Sequence, residues 1–180
     1  MTDETDITAR LNLAQWHLTR SDQLRLGLIS RAGGILSANA LVVTGVVFIS
    51  GLNTSSISPI TGTFALASLA AIAYSTISAV GVFTGSRSIR KISLGRDDRT
   101  PIAFSYSDTI SKISSAKDFR DAFTKQTAAE TLDAAVLELW RCICVHHART
   151  KKLGSATRWM LVSSAALIAA AAAKILLGIF

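Results

Sequence analysis

The sequence predicts an all-α membrane protein with three transmembrane helices, an N-terminal hairpin plus a C-terminal span, joined through a cytoplasmic helical segment. Three observations predict it. Apolar residues make up 49% of the 180 residues, mean hydropathy is +0.40, and charged residues are only 17%, against about 25% in an ordinary soluble domain. No Asp, Glu, Lys, Arg or His occurs from residue 32 to residue 86, and Lys174 is the only charge after Arg158. A charge at the bilayer centre costs about 3 kcal/mol or more, so runs this clean mark hydrocarbon as the solvent. Third, the first two apolar runs are flanked by basic residues on one side only, Arg20, Arg25 and Arg31 before the first and Arg87, Arg90, Lys91, Arg96 and Arg99 after the second.

The elements follow in order. Residues 1–31 read as a cytoplasmic amphipathic helix in which Ile7, Leu11, Ala14 and Leu18 recur at helical spacing, with Trp16, Leu24, Leu26 and Leu28 as a second apolar set. Trp16 suits a headgroup-level anchor, and Ser21 followed by Asp22 predicts an N-cap and a helix break near residue 20. The start is acidic and its first apolar run begins about thirty residues in, unlike a cleaved signal peptide. Residues 32–85 form the hairpin, with spans from Ala32 to Ser50 and from Thr63 to Gly85, each near the length that roughly 30 Å of hydrocarbon requires at about 1.5 Å per residue. The uncharged residues 51–61 turn between them on the far side.

Residues 86–158 form the cytoplasmic region. Residues 86–110 read as a connector, Ser115 to Gln126 as a short charged helix, and Thr127 to Arg149 as a longer helix with one apolar stripe at Leu132, Val136, Leu139, Ile143 and His146. A basic group, His146 to Arg158, precedes the third span, residues 159–180. Gly154 is either a hinge between the cytoplasmic helix and that span or an ordinary glycine of a membrane helix. Leu139, Ile143 and Gly154 are the candidate relay between the two. Lys174 can snorkel to the far headgroups. The basic flanks place the N-terminus and residues 87–158 in the cytoplasm and residues 51–61 and the C-terminus outside.

Of the net charge of +7, six reside in the middle of the chain, where residues 87–158 carry fourteen basic and eight acidic groups, the first 31 residues balance at four each, and Lys174 supplies the last. The positive-inside bias and attraction to anionic headgroups explain this, and no clustered aromatic and basic motif points to nucleic acid. The acids from Asp97 to Glu138 sit among lysines and arginines at ordinary helix-surface spacing, which argues against an enzyme. Cys142 and His146 are four apart, but one pair supplies two of the four ligands a metal needs, so no metal site is expected. The two cysteines are expected to stay reduced, and no glycine motif implies a cofactor.

Small residues recur in the spans: Gly33, Gly34, Ser37 and Ala38 in the first, Ala67, Ala71, Ser75 and Ala79 in the second, and Ser164 through Ala173 in the third. Such faces let helices approach closely, within one chain or between copies in a homo-oligomer. Asn39, the most polar side chain of the first span, with Gly34 and Ala38 beside it, is a candidate for a structural hydrogen bond or for a lumen-facing group.

The stretch Ser21-Asp22-Gln23, then Arg31-Ala32-Gly33-Gly34-Ile35-Leu36-Ser37-Ala38-Asn39-Ala40-Leu41, resembles the start of the transmembrane effectors of Pycsar antiphage systems. Leu137-Glu138-Leu139-Trp140 through Lys151, Lys152 and Leu153 is similar to their closing helix, and CBASS-like effectors with two or three spans are near neighbours. The resemblance implies a bacterial inner-membrane protein that impairs the membrane when a cyclic pyrimidine mononucleotide signals infection. It transfers no nucleotide-binding residue. The alternative function is a small membrane scaffold or accessory subunit anchoring a soluble partner.

Overall fold

A computed structural model describes residues 2–51, 59–84, 109 and 113–178. Four helices appear among them: α1 (Thr2–Gly51), α2 (Pro59–Phe83), α3 (Ala116–Lys125) and α4 (Ala128–Gly178), with no strand among the described residues. Apolar stretches within α1, α2 and α4 are long and apolar enough to cross a membrane, the makeup of a multi-pass membrane protein.

Local chemistry sets the helix starts. Pro59 opens α2, where its fixed φ suits a helix and its missing N–H is no loss. At α3, the Ser115 hydroxyl oxygen accepts from the Asp118 backbone N–H at 3.1 Å. A reciprocal capping box begins α4: the Thr127 backbone N–H donates to Glu130 Oε2 at 2.8 Å and the Glu130 N–H donates to Thr127 Oγ1 at 3.3 Å.

Three boundaries differ from the sequence reading. No break occurs near residue 20, because α1 runs on through Ser21; between His17 and Leu26 there is no glycine or proline to stop it, and an N-cap serine cannot end a helix unaided. The second span begins at Pro59, inside the residues read as a turn. Residues 128–149 and 159–178, expected as parts of two helices, belong to one helix, α4, with Gly154 in its interior. A lone glycine costs about 1 kcal/mol in a helix, too little to break one flanked by Leu153 and Ala156, which packing buries. The connector 86–110, residue 109 excepted, and most of the far-side turn lie outside the described residues.

The chain divides into two compact units, Met1–Arg25 with Ser86–His147 and Leu26–Gly85 with Ala148–Phe180. In the first, α1 turns Ile7, Leu11, Ala14 and Leu18 inward and α4 turns Leu132, Ala135, Leu139, Cys142 and His146. The α4 stripe therefore departs from the expected one at two places: Val136 and Ile143 are 54% and 52% exposed, while Ala135 is 1% exposed. Small side chains occupy the most buried positions that the two helices have in this unit, Ala14 in α1 and Ala134 and Ala135 in α4. In α3, Phe119 and Phe123 stack with ring centroids 5.9 Å apart.

The second unit is a three-helix bundle. Inward positions alternate steps of three and four in every member: Leu28, Ala32, Ile35, Asn39, Val42, Val46 and Ile49 in α1, Thr61, Ala65, Ser68, Ile72, Ser75, Ala79 and Val82 in α2, and Leu153, Ala156, Met160, Ser163, Leu167, Ala170 and Lys174 in α4. The mean step of 3.5 residues is the repeat of coiled-coil packing. Leu28, Ala32, Ile35, Ala79, Val82, Leu153 and Ala156 make one continuous apolar cluster.

Candidate functional site

The bundle's inward positions are interrupted by polar groups, and these are joined to one another. Asn39, 3% exposed, donates from Nδ2 to Ser75 Oγ at 3.0 Å and to Thr76 Oγ1 at 3.1 Å. The Ser75 hydroxyl donates onward to the Ala156 carbonyl at 2.9 Å, so one chain of hydrogen bonds crosses α1, α2 and α4. Elsewhere in the bundle, Ser68 donates to the Ser163 carbonyl at 3.0 Å and Ser163 to the Ser68 carbonyl at 3.1 Å. In hydrocarbon an amide or hydroxyl has no water to turn to, so each of these groups holds its neighbour helix.

Two lysines of α4 serve the ends of the other helices. Lys152 Nζ donates to the Gly81 carbonyl at 3.0 Å in the last turn of α2, and Lys174 Nζ donates to the Ile49 carbonyl in the last turn of α1. Carbonyls there lack helical partners and carry the negative end of the helix dipole, so an ammonium satisfies both. Tyr74 and Trp159 pack with ring centroids 5.1 Å apart between α2 and α4. Gly45 lets Leu167 approach so closely that a Cβ at Gly45 would lie 2.9 Å from Leu167 Cδ2.

The candidate residues of the sequence fall in different places. Asn39 is in the bundle interior, within the hydrogen-bond chain. Gly34, Ala38 and Gly154 line an open groove on the bundle's surface, and no atom lies within 4 Å of where a Cβ of Gly34 or Gly154 would be. Leu139 is half-buried and Ile143 exposed in the first unit. Sequence reasoning did not single out Ser68, Ser163 or Gly45, and placed Lys152 only in the basic group before the third span. The signal for the serines was present: each falls on the three-four alternation of its own helix, as Asn39 does in α1.

Among the described residues no group of three or more His, Cys, Asp or Glu is placed to hold a metal. In the first unit, burial pushes the Cys142 thiol up from its ordinary pKa, partly offset by a hydrogen bond from Ser21, with Glu138 adding to the rise. Such a thiol is a weak nucleophile near neutral pH. The chemistry of the bundle is therefore helix association through reversible, mostly uncharged hydrogen bonds. No known protein family, curated protein or solved structure matches the chain.

Proposed function

We propose that the chain is a bacterial inner-membrane effector of antiphage defence that impairs the membrane when a cyclic nucleotide signal activates it, and that it catalyses no reaction itself. The observation that carries this reading is the inward, mutually paired set Asn39, Ser75, Ser68 and Ser163. Paired, these groups leave no lumen between three tightly approached helices; separated in a homo-oligomer, the same groups would line a path that water can wet. Interhelical hydrogen bonds in membranes are worth only about 0.6 kcal/mol on average, so a ligand's binding energy suffices to exchange one arrangement for the other. The resemblance to Pycsar effectors at residues 31–41 and 137–153 supplies the signal, a cyclic pyrimidine mononucleotide, and the inner membrane. The basic flanks supply the orientation, with the N-terminus and residues 87–158 in the cytoplasm.

In this reading the cytoplasmic part of the chain receives the signal, and α4, unbroken from Ala128 to Gly178, relays it past Gly154. The test is membrane potential in cells expressing the protein with a candidate cyclase during phage infection. Depolarisation is expected in the wild type and its loss in the double variant Leu139→Asp, Ile143→Asp, with insertion unchanged. Unchanged potential in infected wild-type cells rejects the effector; depolarisation persisting in the double variant rejects the relay alone. Phosphatase fusions check the orientation, expected active after Ser56 and silent after Arg99.

A second reading has its own observation. Val136, Trp140 and Ile143 are all more than half exposed at helical spacing on α4, an apolar stripe suited to a soluble partner that a membrane scaffold would anchor. A genomic neighbour that is a transporter or secretion component, in place of a cyclase, favours the scaffold.

A further inference from the structure

A groove of about 480 Å³ opens on the surface of the three-helix bundle between α1 and α4. Two glycines make it. A Cβ built at Gly34 or Gly154 would meet no atom within 4 Å, whereas at Gly45 it would meet Leu167. Gly34 and Gly154 thus do not serve close helix approach within the chain; the side chains they lack are the volume of the groove. Ile35, Leu153 and Met160 give it apolar walls, and among the described residues Arg31 is the only charged one that lines it.

The position of Arg31 fixes what this groove meets. It is the last charge before the uncharged residues 32–86, so its guanidinium lies at headgroup level while Ile35 and Met160 lie toward hydrocarbon. The volume falls within the about 300–1,000 Å³ of small-molecule sites. An apolar trough open to the bilayer is filled by acyl chain, and a planar guanidinium at its mouth matches a phosphate with two parallel donors. Exposed Lys151 and Arg158 flank the lining residues in sequence and add to the positive potential that basic pockets between membrane helices present to anionic headgroups. A second copy of the bundle fits less well, because the nearest acids in α1 and α4, Asp22 and Glu138, lie about two helical turns or more from the Arg31 and Thr150 level and could not pair the guanidinium.

We propose that this groove binds an anionic glycerophospholipid, its phosphate on Arg31 and one acyl chain laid across Gly34 and Gly154. This site stands whether or not the effector reading does. The experiment is native mass spectrometry of the purified full chain in neutral detergent, supplied with phosphatidylglycerol or with phosphatidylcholine of the same acyl chains. One phosphatidylglycerol is expected to stay bound per chain, at least tenfold more strongly than phosphatidylcholine. Arg31→Gln is expected to abolish the preference, and Gly154→Leu or Gly34→Leu to expel the lipid with helicity and subunit number unchanged. Equal retention of the two lipids by the wild type overturns the site without recourse to any variant. So does phosphatidylglycerol retention unaltered in Arg31→Gln, or a loss of subunits in the leucine variants, which would assign the groove to a second copy.

Discussion

Ser68 of α2 and Ser163 of α4 clasp one another, each hydroxyl donating to the other's backbone carbonyl, with the two hydroxyl oxygens 3.0 Å apart and both residues fully buried. The carbonyls keep their helical partners, so loss of a hydroxyl strands nothing. Ser68→Ala or Ser163→Ala is therefore expected to cost only about 0.6 kcal/mol, and at most about 1.7. Ser163→Val adds methyls where no space exists and is expected to cost about 1–3 kcal/mol. Unfolding in bicelles measures both; a valine no worse than the alanine would mean that the helices are not in close contact here.

Glycines of this bundle should divide into two kinds on mutation. Gly45→Ala sets its methyl against the end of the Leu167 side chain, and the contact must be relieved by a rotamer change, so it is expected to be neutral or destabilising. Gly34→Ala meets open space and reduces backbone freedom, and is expected to stabilise by about 0.4–1 kcal/mol. Leu167→Ala should make Gly45→Ala tolerable. The same stability change at both glycines would contradict this division.

The fold was legible because charge avoidance is a strong signal: hydrocarbon excludes charges over whole helices, and residues 32–86 contain none. Helix ends at residues 115 and 126 were legible too, since Ser115 and the residues beside it carry capping chemistry. Of the α4 stripe, Leu132, Leu139 and His146 turn inward as the spacing predicts, and Val136 and Ile143 do not, because at close helix approach size counts above hydrophobicity. Val136 and Ile143 are the more apolar residues, yet Ala135 and Cys142 turn inward where helices approach closely. Rows of small residues four apart held in the second span, where Ala71, Ser75 and Ala79 are buried, but in the first they pointed to Gly34 and Ala38, which line a surface groove; Ser68 and Ser163 lie outside those rows and show only in the alternation of three and four along their own helices. Which glycine meets a neighbour depends on the facing helix, and no pattern within one segment contains that.

Cys142 should be slow to react. Burial raises its pKa, so in the folded protein its alkylation by iodoacetamide is expected to rise with pH at a midpoint above that of a free thiol, about 8.5. The sign for stability follows: as pH rises through the ordinary thiol range the unfolded chain loses this proton first, so stability present below that range is lost toward the raised folded value. Cys142→Ser should remove that alkaline dependence. A midpoint at or below the free-thiol value in the folded protein would contradict the burial argument.

Asn39 offers the test that separates structure from activity. Its amide donates to Ser75 and Thr76, and Ser75 passes the chain to the Ala156 carbonyl, so Asn39→Ala removes two interhelical bonds and leaves a small void. The expected loss is about 1–2 kcal/mol. Asn39→Leu is different, because an apolar side chain of similar size suits an inward position of an apolar helix and Ser75 keeps its bond to Ala156. Stability of the bundle in bicelles is then expected to be kept to within about 1.5 kcal/mol. If separated helices expose Asn39 to water in an active assembly, the leucine makes that state dry and infection-linked depolarisation should fall at least tenfold in rate, with expression and insertion unchanged. A stable Asn39→Leu protein that depolarises like the wild type would assign Asn39 to helix packing alone and remove it from the proposed path.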